Sequence, residues 1–302
     1  IPESDVDVTD APVAPPTQKG IFAYGYTTGV VSMSNLVSSS GVVAADVTGV
    51  GTARSAPAAA SYGLDKAIFG YGYSGGSLSM SNLVNNSGVI AADVTGVGTA
   101  RYYIAAAGYG DDKAIFGYGQ NGGYYSMSNL VSNSGVVASD VSGVGTARSG
   151  LAAARYGSTG QAIFAYGYTG SSVSMTNLVT NVGVVGSDVG GVGTARYGIG
   201  GAGYGGDKAI FGYGWSGSNN SISNLVSNTG VVGSDVSGVG TARHDLTALS
   251  YGGDKAIFAY GYTSSVVSMS NLVNNSGVVA SDVSGVGTAR KDCRGAGYSI
   301  SA

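Results

Sequence analysis

The chain has 302 residues, of which only 10% are charged, and its formal net charge is −3 with 14 basic residues spread along its length. It therefore lacks the clustered positive charge that a phosphate backbone attracts, which argues against a nucleic-acid partner. No apolar run approaches the roughly 18 residues of a membrane-spanning helix, which argues against membrane insertion. Glycine contributes 54 residues, and Val, Phe and Tyr recur at regular positions, so the composition favours a folded protein of strands and turns.

Residues 1–19 differ from the rest of the chain. They contain Asp5, Asp7 and Asp10 together with four prolines. An acidic, proline-rich stretch of this kind is typically extended, so we expect a tail or linker that tethers the folded part, residues 20–302.

One sequence unit is repeated six times from about residue 20 onward. The motif IFAYGY and its relatives begin at Ile21, Ile68, Ile115, Ile163, Ile210 and Ile257, a period of about 47 residues. Within each copy four short β-like runs are bounded by Gly, Ser, Asn or Asp: an inner run of small residues, a second run (KAIFGYGY), a third run (SMSNLV) and an outer run (GVVAADV). Four strands in such a period predict the blade of a β-propeller, and the chain should hold six of them.

The order of the runs at the two ends of the repeat region predicts how the units are arranged. The first copy starts with its second run at Ile21, whereas the chain finishes with residues 291–298, which have the pattern of an inner run. An open solenoid would instead need distinct capping repeats. We therefore expect the C-terminal strand to complete the first blade and close a ring whose inner strands, rich in Ala and Gly, surround a narrow axis.

The segment TARSGLAAARYGSTGQAIFAYGYTGSSVSMTNLV resembles a kelch repeat, and this resemblance extends over residues 20–302. The kelch glycine pair is replaced here by Gly-Tyr-Gly or Ala-Tyr-Gly, and the outer-strand Trp is absent. Tandem blades of the DKAIFGYG and GVGTAR type also look like those of proteins encoded by tailed bacteriophages. The resemblance implies a virion component, located on the virion or outside the cell.

The sequence offers little material for catalysis or metal binding. Copper oxidases with kelch-like propellers need several His and Tyr ligands, whereas this chain has one histidine, His244, and one cysteine, Cys293, too few for such a site or for zinc. His244 beside Asp245 could orient a general base, but no nucleophile motif accompanies them, and an exposed loop histidine is the favoured interpretation. Cys293 is interpreted as a small apolar filler. We predict no enzymatic activity, no metal and no cofactor.

Two charged positions recur in all six copies. They form an Asp set and an Arg set: Asp46, Asp93, Asp140, Asp188, Asp235 and Asp282, and Arg54, Arg101, Arg148, Arg196, Arg243 and Arg290. A ring of arginines could hold an anion at the axis. The favoured interpretation is structural, with Asp–Arg bridges or capped loop backbone between blades.

The copies differ from one another in two windows. The first is the residue pair after each Arg, and the second is the connection between the second and third runs: residues 27–31, 74–78, 121–125, 169–173, 216–220 and 263–267. In an up-and-down blade both windows lie on one face of the disc. Variation restricted to one face is typical of a recognition surface, although loops that drift freely would give the same pattern.

The variable face is rich in Tyr, Asn, Ser and Gly, which suits sugar rings or protein surfaces. The candidate ligand-binding residues are Trp215, Tyr197, His244, Asp245, Lys291, Asp292, Tyr102, Tyr103, Tyr124 and Tyr125. We expect a non-enzymatic recognition propeller that binds a cell-surface glycan or protein. The alternatives are a structural module that decorates or bridges a particle through neighbouring virion proteins, and an enzyme with an unfamiliar site at the axis.

Overall fold

The computed structural model describes residues 17–302, which form eighteen β-strands and no helix. The predicted tail lies outside the described residues except for its last three positions, and the first strand already begins at Lys19. The strands are β1 (Lys19–Ala23), β2 (Ser34–Val37), β3 (Ala58–Tyr62), β4 (Lys66–Tyr73), β5 (Ser77–Val84), β6 (Ala105–Tyr109), β7 (Lys113–Gly117), β8 (Ser128–Val131), β9 (Ala152–Tyr156), β10 (Gln161–Tyr168), β11 (Ser172–Val179), β12 (Gly200–Tyr204), β13 (Lys208–Trp215), β14 (Asn219–Val226), β15 (Thr247–Tyr251), β16 (Lys255–Ala259), β17 (Ser270–Val273) and β18 (Arg294–Tyr298).

These strands form six separate three-stranded antiparallel sheets, one for each sequence repeat. Their strand orders are β18-β1-β2, β3-β4-β5, β6-β7-β8, β9-β10-β11, β12-β13-β14 and β15-β16-β17. The middle strand of each sheet is buried along almost its whole length, as expected for the apolar KAIF run, which packs between neighbouring sheets on both of its faces. The all-β class and the sixfold repeat predicted from the sequence are therefore confirmed.

The predicted fourth strand is absent from every described sheet. In the first repeat the outer run touches β2 only through isolated bridges, Ser34 to Val47 and Val37 to Val43. Between these bridges the buried side chain of Asn35 donates a hydrogen bond of 3.0 Å to the carbonyl of Ala44. A side-chain amide thus takes the place of a backbone donor, so the outer run follows the sheet without forming a continuous ladder.

The C-terminal strand pairs with the first strand of the chain, as the sequence predicted. β18 lies antiparallel to β1 in the register Lys19 to Tyr298 through Ala23 to Arg294. The inner strands β3, β6, β9, β12, β15 and β18 each contact the next one, and β18 contacts β3. The six sheets are therefore arranged in a propeller-like ring around an axis, without a hydrogen-bonded ladder between sheets.

An aromatic pair joins each sheet to the next. The Tyr of each Gly-Tyr-Gly or Ala-Tyr-Gly motif makes an edge contact with the Phe of the following sheet, at centroid distances of 5.1 to 5.9 Å. The pairs are Tyr24–Phe69, Tyr71–Phe116, Tyr118–Phe164, Tyr166–Phe211, Tyr213–Phe258 and Tyr260–Phe22. The last pair returns to the first repeat, and a cluster of buried apolar residues fills each of the six junctions between neighbouring sheets.

The backbone of the Gly-Tyr-Gly or Ala-Tyr-Gly motif also turns the chain toward the loop between the second and third strands. Tyr71 has a φ of 63° and the next residue, Gly72, a φ of 112°. A Cβ on Gly72 would lie 2.9 Å from the carbonyl oxygen of Ser55, so only glycine fits there. The backbone irregularity between Gly70 and Gly72 shifts the register of β4 against β5 and directs the following loop toward one face of the ring.

Candidate functional site

The two variable windows lie side by side in every repeat. Backbone bridges join the residue after each Arg to the residue that precedes the loop between second and third strands. These bridges are Tyr26–Lys291, Ser55–Tyr73, Tyr102–Gln120, Ser149–Tyr168, Tyr197–Trp215 and His244–Tyr262. We call the surface formed by both windows the loop face. The opposite surface, formed by the turns between inner and middle strands and by the turns after the third strands, is called the turn face.

A closed belt of backbone hydrogen bonds surrounds the axis on the loop face. Each belt residue donates its N–H to the carbonyl of the belt residue in the preceding sheet, at 2.8 to 3.2 Å. The belt residues are Ala56, Tyr103, Gly150, Gly198, Asp245 and Asp292, and all six have positive φ between 47° and 62°. Because each sheet holds the loop of its neighbour, the variable side chains stand on a mutually fixed framework.

Below the belt the axis is narrow. Apolar residues that follow the belt residues are buried beneath it, among them Ile104, Leu151 and Leu246, together with Cys293. The remaining axial cavity is about 40 Å³ and is lined mainly by Ala and Gly of the inner strands, with Arg294 as its charged side chain. A space of this size holds one or two water molecules. The buried Cys293 has a raised pKa because burial disfavours its thiolate, so the thiol is a filler of this layer.

Three of the candidate ligand-binding residues, Trp215, Tyr197 and His244, lie together on the loop face. The Trp215 and His244 rings make an edge contact at 5.1 Å, and His244 makes a second one with Tyr262 at 5.5 Å. The Nδ1 atom of His244 lies 2.6 Å from the side-chain oxygen of Asn219. The interpretation of His244 as an exposed loop residue is wrong, because only 14% of its side chain is accessible. Burial lowers its pKa, and the nearby Asp245 carboxylate opposes this shift.

Two of the candidate ligand-binding residues, Asp245 and Asp292, are buried in the belt. Lys291 lies between them, with its Nζ 3.5 Å from Asp245 and 3.8 Å from Asp292, and over the Tyr262 ring at 5.1 Å. The hydroxyl of Tyr103 reaches across the belt and donates a hydrogen bond of 3.4 Å to Asp292. Both carboxylates are buried at belt positions with positive φ, a feature that sequence variability alone does not reveal.

The ionisation of Asp292 should make stability depend on pH. Burial, followed by repulsion from Asp245, raises the pKa of Asp292 to about 7 despite the opposing effects of Arg294, Lys291 and Tyr103. In the unfolded chain the group loses its proton near pH 4, so the folded state loses stability as the pH rises from about 4 to about 7. We expect D292N to be more stable than the parent protein at pH 8, with a difference that shrinks toward pH 4. Urea unfolding at several pH values measures this difference, and two parallel pH curves would contradict the assignment.

The tyrosines of the third repeat extend the aromatic surface in two directions. Tyr102 contacts Tyr73 and Tyr103 at 5.1 and 5.3 Å. Tyr124, which is 37% exposed, contacts Tyr168 at 6.2 Å, and Tyr168 in turn contacts Tyr197 at 5.1 Å. The hydroxyl of Tyr125 donates to its own loop at the Asn121 carbonyl, 3.3 Å away. Tyr124 is thus connected through Tyr168 to Tyr197, which is bridged to Trp215. Tyr102 instead lies beside Tyr103 of the belt.

The repeated arginines lie between sheets and do not line the axial cavity. Arg196, with no exposed surface, donates to the Tyr213 carbonyl at 2.8 Å, the Thr194 carbonyl at 2.9 Å and the Asn224 side chain at 2.5 Å. Its guanidinium carbon also lies 4.3 Å from the centre of the Tyr166 ring. This arrangement recurs in the other repeats with minor variation. Each arginine therefore joins the sheet that precedes it in the chain to the sheet that follows it.

The repeated aspartates complete the same junctions. Asp235 accepts hydrogen bonds from the backbone N–H and the hydroxyl of Thr194 in the preceding repeat and from Asn224 in its own repeat. Burial opposes ionisation of Asp235, but these hydrogen bonds and Arg196 lower its pKa overall. Sequence reasoning missed the asparagines at the centre of the junctions: Asn35, Asn82, Asn129, Asn177, Asn224 and Asn271. The signal was present, because every copy of the SNLV or TNLV motif carries this Asn.

Among residues 17–302, no group of three or more His, Cys, Asp or Glu side chains is placed to hold a metal ion. No helix in this part of the chain is long and apolar enough to cross a membrane. No known family model matches the chain, and no curated protein sequence matches it. The structure by itself therefore defines the class: an all-β, propeller-like ring of six repeated sheets with one variable face.

Proposed function

We propose that this protein is a non-catalytic recognition module that binds a cell-surface glycan or protein through its loop face. In this proposal the ring is a kelch-like six-bladed β-propeller in which the outer runs are reduced fourth strands. By its resemblance to tandem-repeat propellers of tailed bacteriophages, it acts as a tail or surface-fibre domain on a virion or outside the cell.

The observation that carries the proposal is that Thr17 and Gln18 lie on the opposite face of the ring from the variable aromatic residues. Thr17 and Gln18 lie on the turn face, where the Gln18 N–H donates to the Ser299 carbonyl at 2.7 Å. Their own carbonyls accept from Gly253 at 3.2 Å and Gly252 at 2.9 Å. The described part of the chain therefore begins on the turn face, opposite the loop face. A protein tethered there presents its loop face to a partner.

The chemistry of the loop face supports a glycan or protein ligand. Trp215 and Tyr197 lie in one bridge, Tyr168 and Tyr124 continue the aromatic surface, and Asn220 stands in the adjoining loop. Aromatic faces pack against the apolar face of a sugar, and neighbouring amides and hydroxyls bind its rim. The belt fixes the loops before binding, so less ordering entropy is lost when the ligand binds.

A second candidate, a structural module in a particle, is favoured by the outer edge of the ring. Each outer run exposes two valines, with exposed fractions between 45% and 66%. They are Val42, Val47, Val89, Val94, Val136, Val141, Val184, Val189, Val231, Val236, Val278 and Val283. A repeated apolar rim of this kind suits packing against neighbouring virion proteins.

The proposal predicts that the double variant W215A/Y197A loses ligand binding. Both side chains contribute apolar surface that a bound sugar or protein would cover. Hot-spot aromatics of this kind are worth about 2 kcal/mol or more, or ~30-fold in affinity, for each side chain, so the double variant should bind more than ~30-fold more weakly than the parent. The measurement is binding of the purified parent and variant proteins to a broad glycan array and to intact bacterial envelopes.

The matched control is L64A, which truncates an exposed residue of the turn face and should bind like the parent. Circular dichroism must show that all three proteins are folded. If the folded parent binds nothing, or if W215A/Y197A binds as tightly as the parent, Trp215 and Tyr197 are not part of a recognition site. The structural module then becomes the better explanation.

A further inference from the structure

The turn face contains a larger cavity than the axis beneath the loop face. It measures about 130 Å³ and is bordered by Tyr62, Tyr109 and Tyr204 at the ends of three inner strands, together with Ser61 and Ser250. Exposed residues lie at its edge, so the cavity is accessible to solvent. Such a space accommodates a single small polar group, and it is too small to enclose a sugar ring with its substituents.

Two charged residues of the cavity lining, Arg155 and Asp111, depart from the repeat. Arg155 lies in β9, at a position where the other inner strands carry only small residues. Those residues are Ser61, Gly108, Gly203, Ser250 and Gly297. A guanidinium thus stands among serines and glycines in the lining of this cavity.

The neighbouring turn is also unique among the repeats. It contains one extra residue, and Gln161 replaces the Lys that follows this turn elsewhere. Its Gly160 carbonyl accepts the hydrogen bond from Gly110 that an Asp carbonyl accepts at most of the other junctions. Arg155 therefore has no Asp–Lys pair beside it in its own turn.

Arg155 is poorly satisfied by the protein. Its Nη2 is 3.5 Å from Asp111, a carboxylate whose side chain is 61% exposed. The buried Nε–H has no hydrogen-bond partner among the described residues. A guanidinium has five donors in a planar fork, so most of its capacity is left for an acceptor that enters the cavity.

Two lysines add positive charge at the cavity wall. Lys113 and Lys208 line the cavity and are nearly half exposed. Each lies near the Asp that precedes it, at 3.1 and 3.3 Å, but exposed pairs of this type contribute little and rearrange readily. Both ammonium groups can therefore approach an anion held by Arg155.

We propose that the turn-face cavity is a binding site for one oxyanion group of phosphate size, with Arg155 as its principal donor and Lys113 and Lys208 as supporting charges. An arginine fork matches the oxygens of phosphate in a bidentate manner, and a partly enclosed site strengthens these charge-assisted hydrogen bonds. The site is independent of ligand binding on the loop face, because the two surfaces lie on opposite sides of the ring.

The test is titration of the full chain with inorganic phosphate at low ionic strength, followed by calorimetry. We expect saturable binding with one site per chain, and we expect R155S to weaken it by about 10-fold or more. Serine is the natural residue at two of the equivalent positions, so R155S should fold. D111N removes the carboxylate that competes for Arg155 and should bind phosphate more tightly than the parent protein.

The matched control is K255S, a turn-face lysine outside the cavity lining, which should bind phosphate like the parent. W215A/Y197A should also bind phosphate unchanged, which separates this site from the loop face. Absence of saturable binding, equal affinity of R155S and the parent, or unchanged affinity in D111N would each overturn the proposal.

Discussion

We expect R196A to lower the free energy of unfolding by about 3–5 kcal/mol, because it removes a fully buried charge that joins two sheets. Without the guanidinium, the carbonyls of Tyr213 and Thr194 and the side-chain oxygen of Asn224 lose their donors. The Tyr166 ring also loses the cation above it. Each buried acceptor left unpaired adds to the cost of the lost packing.

The measurement is urea unfolding followed by circular dichroism at pH 7. R196K tests the geometry, since an ammonium keeps the charge but cannot reach three acceptors in different directions, and we expect it to recover less than half of the loss. K208A is the control for a basic residue that is nearly half exposed, and it should change stability by less than about 0.5 kcal/mol. A loss below about 1 kcal/mol in R196A would mean that the junction does not hold the sheets together.

The sequence was sufficient to predict features that follow from the period of the repeat. The position of Ile21 relative to the end of the chain predicted that a C-terminal strand pairs with β1, and the register of β1 with β18 confirms it. The placement of both variable windows on one surface also follows, because the number of strands between two connections decides which side they occupy. Such inferences need only the order and length of runs.

Features that depend on individual side chains were not predictable in this way. The outer run of the first repeat, residues 41–47, has the valine-rich pattern of a strand, but the inserted amide of Asn35 prevents a continuous ladder with β2. Asp245 and Asp292 vary between copies like surface residues, yet both are buried at belt positions with positive φ. The importance of Arg155 emerges only when its small counterparts are seen to surround one cavity. Periodicity describes the shared scaffold, whereas these departures from it determine the local chemistry.

Deletion of residues 294–302 should abolish cooperative folding of the monomer. The deletion removes every residue pair between β1 and β18 and breaks the contacts that link β15 to β3 through β18. The buried Tyr298 alone is worth roughly 3 kcal/mol, and the exposed edge of β1 would add a tendency to associate. Since domains of this size are stable by about 5–15 kcal/mol, the combined loss should exceed what the remaining contacts provide.

A circular permutant is the control for this deletion, because it moves the chain ends to another repeat and keeps every strand. Joining residue 302 to residue 1 and opening the chain between Ser158 and Thr159, both exposed in a turn, makes β9 the C-terminal strand and β10 the first one. All six sheets are retained, and the closing pair moves to β9 and β10. We expect this permutant to remain a folded monomer with a single unfolding transition, because cuts at exposed turns are tolerated when the pairing on both sides is kept. Size-exclusion chromatography with light scattering and thermal unfolding measure both proteins. If the deletion variant unfolds as cooperatively as the permutant, the ring does not depend on the strand that closes it, and the six sheets must be stable as an open array.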